Sequence, residues 1–203
     1  MKKEQFTKKI HNFSDGNVSY IEWNDESELP GFQFSHATGF NSLTYRKLLE
    51  PLSNEFHIRA IDARGHGFTE TEAIPKKMYD WVVYRDDLIR SVENFVEEKG
   101  EPIILGGHSM GGATIMQVAA SRPELVSGLV LIEPVLIPKF NLNLIKLGRK
   151  FPTFKFLPLI KEATSRADST LKRRREFPNK EMIKKSYNCL LYTSDAADER
   201  SSV

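Results

Sequence analysis

Gly107-His108-Ser109-Met110-Gly111 places one serine between two glycines. The apolar run Ile103-Ile104-Leu105 precedes it, and a helix-forming segment opened by Gly112 and Ala113 follows. A serine hydroxyl is a weak nucleophile until the fold holds it clear of the backbone and supplies a base. G-x-S-x-G at a strand-to-helix junction does the first of these. The turn is so tight that the serine backbone is strained and its hydroxyl stands free, a nucleophile elbow. A side chain at residue 107 or 111 would crowd that turn, which is why glycine suits both positions. Gly112 and Ala113 let the helix that follows lie close to the strands. Ser109 is therefore the expected nucleophile.

The elements around it must form a sheet that presents this turn at one end. Residues 17–23 alternate as a strand after the Asp15-Gly16 turn, and residues 31–35 form a second strand. Residues 42–52 read as a helix with Leu43, Leu48, Leu49 and Leu52 as its apolar face. Residues 56–61 are a third strand, ending at Asp62-Ala63-Arg64-Gly65-His66-Gly67. In residues 79–99, Trp81, Tyr84, Leu88, Val92, Phe95 and Val96 keep the helical period, and Gly100 stops it. Residues 128–133 read as another buried strand, stopped by Pro134. Buried strands alternating with helices predict an α/β fold, a mostly parallel sheet with helices on both faces. After Pro134 the alternation ends. Residues 135–188 read as a basic helical insertion carrying Phe151, Phe154, Phe156 and Leu157, expected to form a cap over the site. Residues 1–134 are then the core.

Composition narrows the function. A chain of 203 residues suits one domain with an insertion. Its net charge of +2 gives no reason to expect a nucleic-acid partner. The charge is uneven, with residues 1–138 net acidic and residues 139–188 net basic. Lys172-Arg173-Arg174-Arg175 reads as a solvated helix face, with acidic lipid or nucleic acid as the alternative partner. The single cysteine, Cys189, excludes an intramolecular disulfide framework. Met1-Lys2-Lys3-Glu4-Gln5-Phe6 has no apolar core behind its lysines and does not read as a signal peptide. No apolar run is long enough to span a membrane. A cytoplasmic protein with neither cofactor nor metal is the expectation.

Three loops in order resemble those of the α/β-hydrolase superfamily, over residues 18–134. His36-Ala37-Thr38-Gly39-Phe40 resembles the oxyanion loop, usually His-Gly-x-Pro. Residues 62–67 resemble the D-x-R-G-x-G turn, and residues 107–111 the elbow. The resemblance implies acyl transfer to Ser109 followed by hydrolysis. The oxyanion would be held by the backbone N–H of Met110 and a second N–H from the His36 loop. Aligning His36 with the family histidine places that donor at Thr38, with Gly39 as the close alternative. Glu133, at the end of the strand after the elbow helix, stands at one of two places where relatives carry the acid; a strand-end carboxylate with local hydrogen bonds is the other reading. A serine nucleophile argues against the dehalogenases and epoxide hydrolases of this fold, which use aspartate. A small acyl substrate is implied, whether ester, thioester, lactone or amide, with an activated C–C bond also open. This fold hosts many chemistries, and a binding protein without catalysis remains the alternative.

The base is missing from its place. The five histidines, His11, His36, His57, His66 and His108, all precede Ser109, whereas in family order the histidine follows the serine. His36 and His66 belong to the resembling loops, His108 is the variable elbow residue, His57 starts a strand, and His11 lies in a polar leader. Residues 189–203 continue no pattern and resemble the translation of a sequencing-library adapter. The expectation is a native sequence that stops near Asn188, an incomplete sheet, and an inactive fragment.

Overall fold

The computed structural model of the chain describes residues 6–25, 28–74, 81–136, 143 and 150. The chain divides into two units, residues 1–142 and 143–203, and every element below belongs to the first. Six strands form one sheet: β1 (Thr7–Phe13), β2 (Gly16–Trp23), β3 (Gly31–Ser35), β4 (His57–Ile61), β5 (Ile103–His108) and β6 (Val126–Ile132), in the order β1-β2-β4-β3-β5-β6. β4, β3, β5 and β6 run parallel, while β2 is antiparallel to both β1 and β4. The α/β fold with a mostly parallel sheet is thus as expected. The cap, apart from residues 135, 136, 143 and 150, lies outside the described residues, as do residues 189–203.

Strand alternation sends side chains to two cores. On one face Val18, Tyr20, Ile61, Ile103 and Leu105 pack against Leu88, Val92 and Phe95 of α2 (Val82–Lys99) and Ile115 and Val118 of α3 (Met110–Ser121). On the other, Ile21, Trp23, Phe32, Phe34, Ile58 and Ala60 meet Tyr45 and Leu49. Phe95 and Leu105 are wholly buried. Removing a buried phenylalanine side chain typically costs about 3–5 kcal/mol. The helix α2 ends as its sequence dictates. Gly100 takes φ +71° and its N–H returns to the Val96 carbonyl at 2.8 Å.

Three expectations are corrected. Residues 42–52 are not one helix. They form a 3-10 turn (Ser42–Tyr45), the short α1 (Arg46–Leu49) and a second 3-10 turn (Glu50–Asn54). Pro51 has no N–H to continue an α-helical ladder. Leu48 is accordingly exposed, whereas Leu49 is buried. The polar leader around His11 is a strand, β1, held by pairing with β2 rather than by an apolar pattern, and the His11 ring stacks on Tyr20 at 4.5 Å. β6 is a strand but not a buried one. Leu129, Val130 and Leu131 are each 40–46% exposed, because β6 pairs with β5 alone among the described residues. No helix among the described residues is long and apolar enough to cross a membrane.

Candidate active site

β5 ends at His108 and α3 begins at Met110, so the whole turn between them is Ser109. Its backbone sits at φ 54°, ψ −112°. This is the first central position of a II′ turn, where glycine dominates and an L-residue is strained. The neighbouring glycines make room for it. A Cβ on Gly107 would lie 2.6 Å from the Gly111 carbonyl, and one on Gly111 would run into the carbonyl of Ser35. Hydrogen bonds then fix the strained peptide on both sides. Ser109 N–H donates to the Ile132 carbonyl at 3.0 Å, and the Ser109 carbonyl accepts from Ala113 and Val135 at 3.0 and 3.2 Å.

β3 delivers the second loop beside the elbow. The Ala37 carbonyl accepts from Phe40 N–H at 3.1 Å, and Gly39 takes φ +80° at the third position of this turn. That is type II geometry, which glycine allows. The hydrogen bond closing the turn uses the N–H of neither Thr38 nor Gly39. Thr38 Oγ1 lies 3.2 Å from Met110 Sδ, so the two residues expected to supply oxyanion donors touch. Met110 opens α3, where a backbone N–H has no acceptor within the helix and the dipole favours an anion.

His36 joins this loop to the next one. Its Nε2 accepts from Ala63 N–H at 2.9 Å, which assigns the proton to Nδ1 for donation to the Ala37 carbonyl at 2.8 Å. Burial pulls its pKa down to about 4, so the ring stays neutral. The 62–67 turn is fixed in turn. Asp62 accepts from Ser42 and Phe68 N–H at 2.7 and 3.0 Å. Arg64 forks onto Asp87 at 2.7 and 2.9 Å and reaches Asp15 at 2.8 Å. These carboxylates raise the guanidinium pKa further, Asp87 most. A cavity of about 20 Å³ lined by Ser35, Asp62, Arg64, Tyr84 and Met110 has room for about one water.

Glu133 directly follows β6, at φ +43°. Ile132 and Val135, two of the residues that bond the Ser109 backbone, flank it closely, so β6 carries it to the elbow end of the sheet. Among the described residues, the structure does not bring it to a histidine, nor any histidine into a hydrogen bond with Ser109. His108 Nδ1 meets the Tyr45 hydroxyl at 2.7 Å, His66 Nδ1 meets the Arg64 carbonyl at 2.9 Å, and His57 Nε2 meets Glu22 at 2.9 Å. The sequence reading missed Tyr45 and Asp87. Tyr45 sits in a short irregular stretch with no periodicity, and Asp87 is one acid among several on α2.

Ligand atoms of Glu22, His57 and Glu98 lie within 4.8 Å of one another, a spacing a metal ion could use. Cations already fill it. Arg59 Nε and Lys9 Nζ each lie 2.5 Å from a Glu22 oxygen, and Arg59 also bonds Glu98. Burial would raise the Glu22 pKa, but hydrogen bonds from His57, Lys9 and Arg59 outweigh it and hold the carboxyl at about 2.

Comparison with known proteins agrees with this geometry. The family described as serine aminopeptidase, S33, matches residues 33–194, a stretch that runs past Asn188. Mouse (Mus musculus) monoglyceride lipase is 36% identical over 105 residues, covering 51% of this chain and 34% of the lipase. The 2-(acetamidomethylene)succinate hydrolase of Mesorhizobium japonicum is 32% identical over 104 residues, covering 51% of this chain and 35% of that enzyme. A crystal structure of E-2-(acetamidomethylene)succinate hydrolase superposes with a TM-score of 0.53 at 25% identity, covering 70% of this chain and 50% of that one. The chain thus spans about a third of the length of these curated relatives. An elbow, an oxyanion-type loop and a D-x-R-G-x-G turn meet at the ends of parallel strands, and the family match covers most of the chain: it belongs to the serine aminopeptidase S33 family of the α/β-hydrolase superfamily.

Proposed function

We propose that the protein is a serine hydrolase acting on a small acyl substrate, an ester in the first instance, with Ser109 as nucleophile. The observation that carries this reading is the strained one-residue turn at Ser109, with Thr38 and Met110 in contact beside it. Ser109 Oγ attacks the carbonyl carbon and gives up its proton to a base. The carbonyl oxygen, now anionic, is held by the N–H groups of Met110 and Thr38. The C–O bond to the alcohol breaks, and the alcohol leaves with that proton. Water then attacks the acyl-serine, releasing the acid and returning a proton to Ser109. Glu133 is the proposed acid that orients the base.

None of the five histidines is hydrogen-bonded to Ser109, and His36 is committed through both ring nitrogens. Among the described residues Ser109 therefore has no histidine base, and we expect only residual turnover from the 203 residues alone. Triad members act as a unit, and loss of one removes most of the rate. The relatives act on different substrates by name, a monoglyceride lipase and a 2-(acetamidomethylene)succinate hydrolase, so their likeness supports acyl hydrolysis rather than one substrate. The test is turnover of a p-nitrophenyl ester series by the full-length protein and by its Ser109→Ala variant. Serine-dependent turnover supports the reading; equal rates in both proteins refute it and leave a binding protein of this fold.

A further inference from the structure

Tyr45 touches the residue before each proposed catalytic element. Its hydroxyl lies 3.1 Å from the Ala37 nitrogen and 2.7 Å from His108 Nδ1. Ala37 precedes Thr38, the proposed oxyanion donor, and His108 precedes Ser109. The direction of the first bond is fixed by chemistry. Ala37 N–H can only donate, so the phenol oxygen accepts from it. The His108 tautomer sets which partner donates in the second bond, and either direction ties the phenol to the residue before Ser109. Burial pushes the phenol pKa up, so the phenol keeps its proton. The ring cannot drift from this position. Tyr45 is buried at the end of its 3-10 turn, with its ring 4.8 Å from Phe34 and 6.2 Å from Phe40.

We infer that Tyr45 is a positioning residue for acyl transfer, its phenol holding the oxyanion loop at a fixed distance from the elbow. This rests on the proposed hydrolase reading. The loop needs such a strut. Residues 37–40 close on themselves through one hydrogen bond, and the Thr38–Met110 contact involves a weak sulfur acceptor. His36 secures the loop to the 62–67 turn rather than to the elbow. Tyr45 bonds both Ala37 in the oxyanion loop and His108 beside the nucleophile, a link through two harder acceptors than the Thr38–Met110 contact. A displacement of about 1 Å in such a site can cost on the order of a hundredfold in rate. The tyrosine touches neither substrate nor reacting atoms in this account, so it sets kcat without setting affinity.

The experiment uses the full-length protein and its Tyr45→Phe, His108→Leu and double variants. Phenylalanine keeps the ring and its packing while deleting only the hydroxyl. Tyr45→Phe should lower kcat on a p-nitrophenyl ester about tenfold or more, with KM within about twofold. His108→Leu, which leaves Tyr45 in place, should lower kcat in the same way, and the double variant should be no worse than the worse single one. Amide hydrogen exchange at Ala37 should quicken at least about tenfold in Tyr45→Phe, a change independent of turnover. Unchanged exchange at Ala37 overturns the inference, as does quickened exchange with wild-type kcat, or additive losses in the double variant. Absence of serine-dependent turnover in the wild type overturns the hydrolase reading itself, a result distinct from wild-type turnover that Tyr45→Phe leaves intact.

Discussion

The Nε2 atom of His36 accepts a hydrogen bond from the backbone N–H of Ala63, across 2.9 Å, in a site with no solvent exposure. Only a ring unprotonated at that nitrogen can do this. The fold therefore selects neutral His36, and burial is the main cause of its lowered pKa, about 4.

This predicts an acid sensitivity with a defined sign. The unfolded chain binds a proton at His36 below about pH 6.5, and the folded chain only below about 4, so the unfolded state holds more protons between these values. Stability contributed by His36 is complete above that window and is lost as pH falls through it. The loss reaches about 3 kcal/mol. Denaturant unfolding of the wild type and of His36→Gln at pH 7 and pH 4.5 should show a smaller pH effect in the variant. Equal slopes in both would assign the acid sensitivity elsewhere.

Ser109 should be a stability liability. Its φ of 54° is a conformation that glycine adopts freely and other residues adopt at a cost of about 1–3 kcal/mol. Ser109→Gly should therefore be inactive yet unfold at higher denaturant than Ser109→Ala, by about 1 kcal/mol, despite the greater chain entropy of glycine. Urea titration of the two variants decides it. Equal midpoints, or a less stable glycine variant, would mean that the turn is not strained.

Much of this was legible in the sequence, for physical reasons that differ by element. β5 announces itself by the apolar run Ile103-Ile104-Leu105, and β3 and β4 by Phe32, Phe34, Ile58, Ala60 and Ile61 set among polar residues that are themselves buried. Ser109 is legible because only glycines tolerate its neighbours' positions. Thr38, with Gly39 beside it, and Met110 come from the resemblance of the loops, and Thr38 and Met110 are in contact in the structure. β1 was not legible, since an edge strand needs only a partner, and its residues are mostly polar. The one-helix reading of residues 42–52 weighed leucine spacing above Pro51, and backbone hydrogen bonding won. Tyr45 was invisible because its role lies in two contacts, to Ala37 and His108, that no local pattern encodes.

Thr38 and Gly39 can be separated as oxyanion donors. Thr38 holds the second position of a type II turn, where proline is favoured. Thr38→Pro should therefore keep the loop folded while deleting the N–H, and should lower kcat by about a hundredfold or more. Esterase kinetics beside a thermal melt test this. A folded Thr38→Pro variant with wild-type kcat would move the donor to Gly39.

Glu22 should matter to stability alone. It binds Arg59 and His57, which are 3% and 1% exposed, and their strand β4 begins at the end of the sheet away from the elbow. Glu22→Ala strands these groups and should cost about 3–5 kcal/mol. Reaction of Ser109 in the remaining folded protein should be unchanged. Denaturant unfolding measures the first, and labelling rates well below the melting temperature measure the second. A stable variant would show the cluster to be worth little.

The most direct measurement is covalent modification of the full-length protein by a fluorophosphonate, followed by mass spectrometry of the intact chain and of its peptides. An activated serine in an oxyanion hole is phosphonylated once, because the reagent resembles the acyl-transfer transition state. The predicted result is one adduct per chain, on the peptide that carries Ser109, and none in Ser109→Ala. An adduct on another residue, an adduct that survives in Ser109→Ala, or no adduct at all would contradict the assignment of Ser109 as nucleophile.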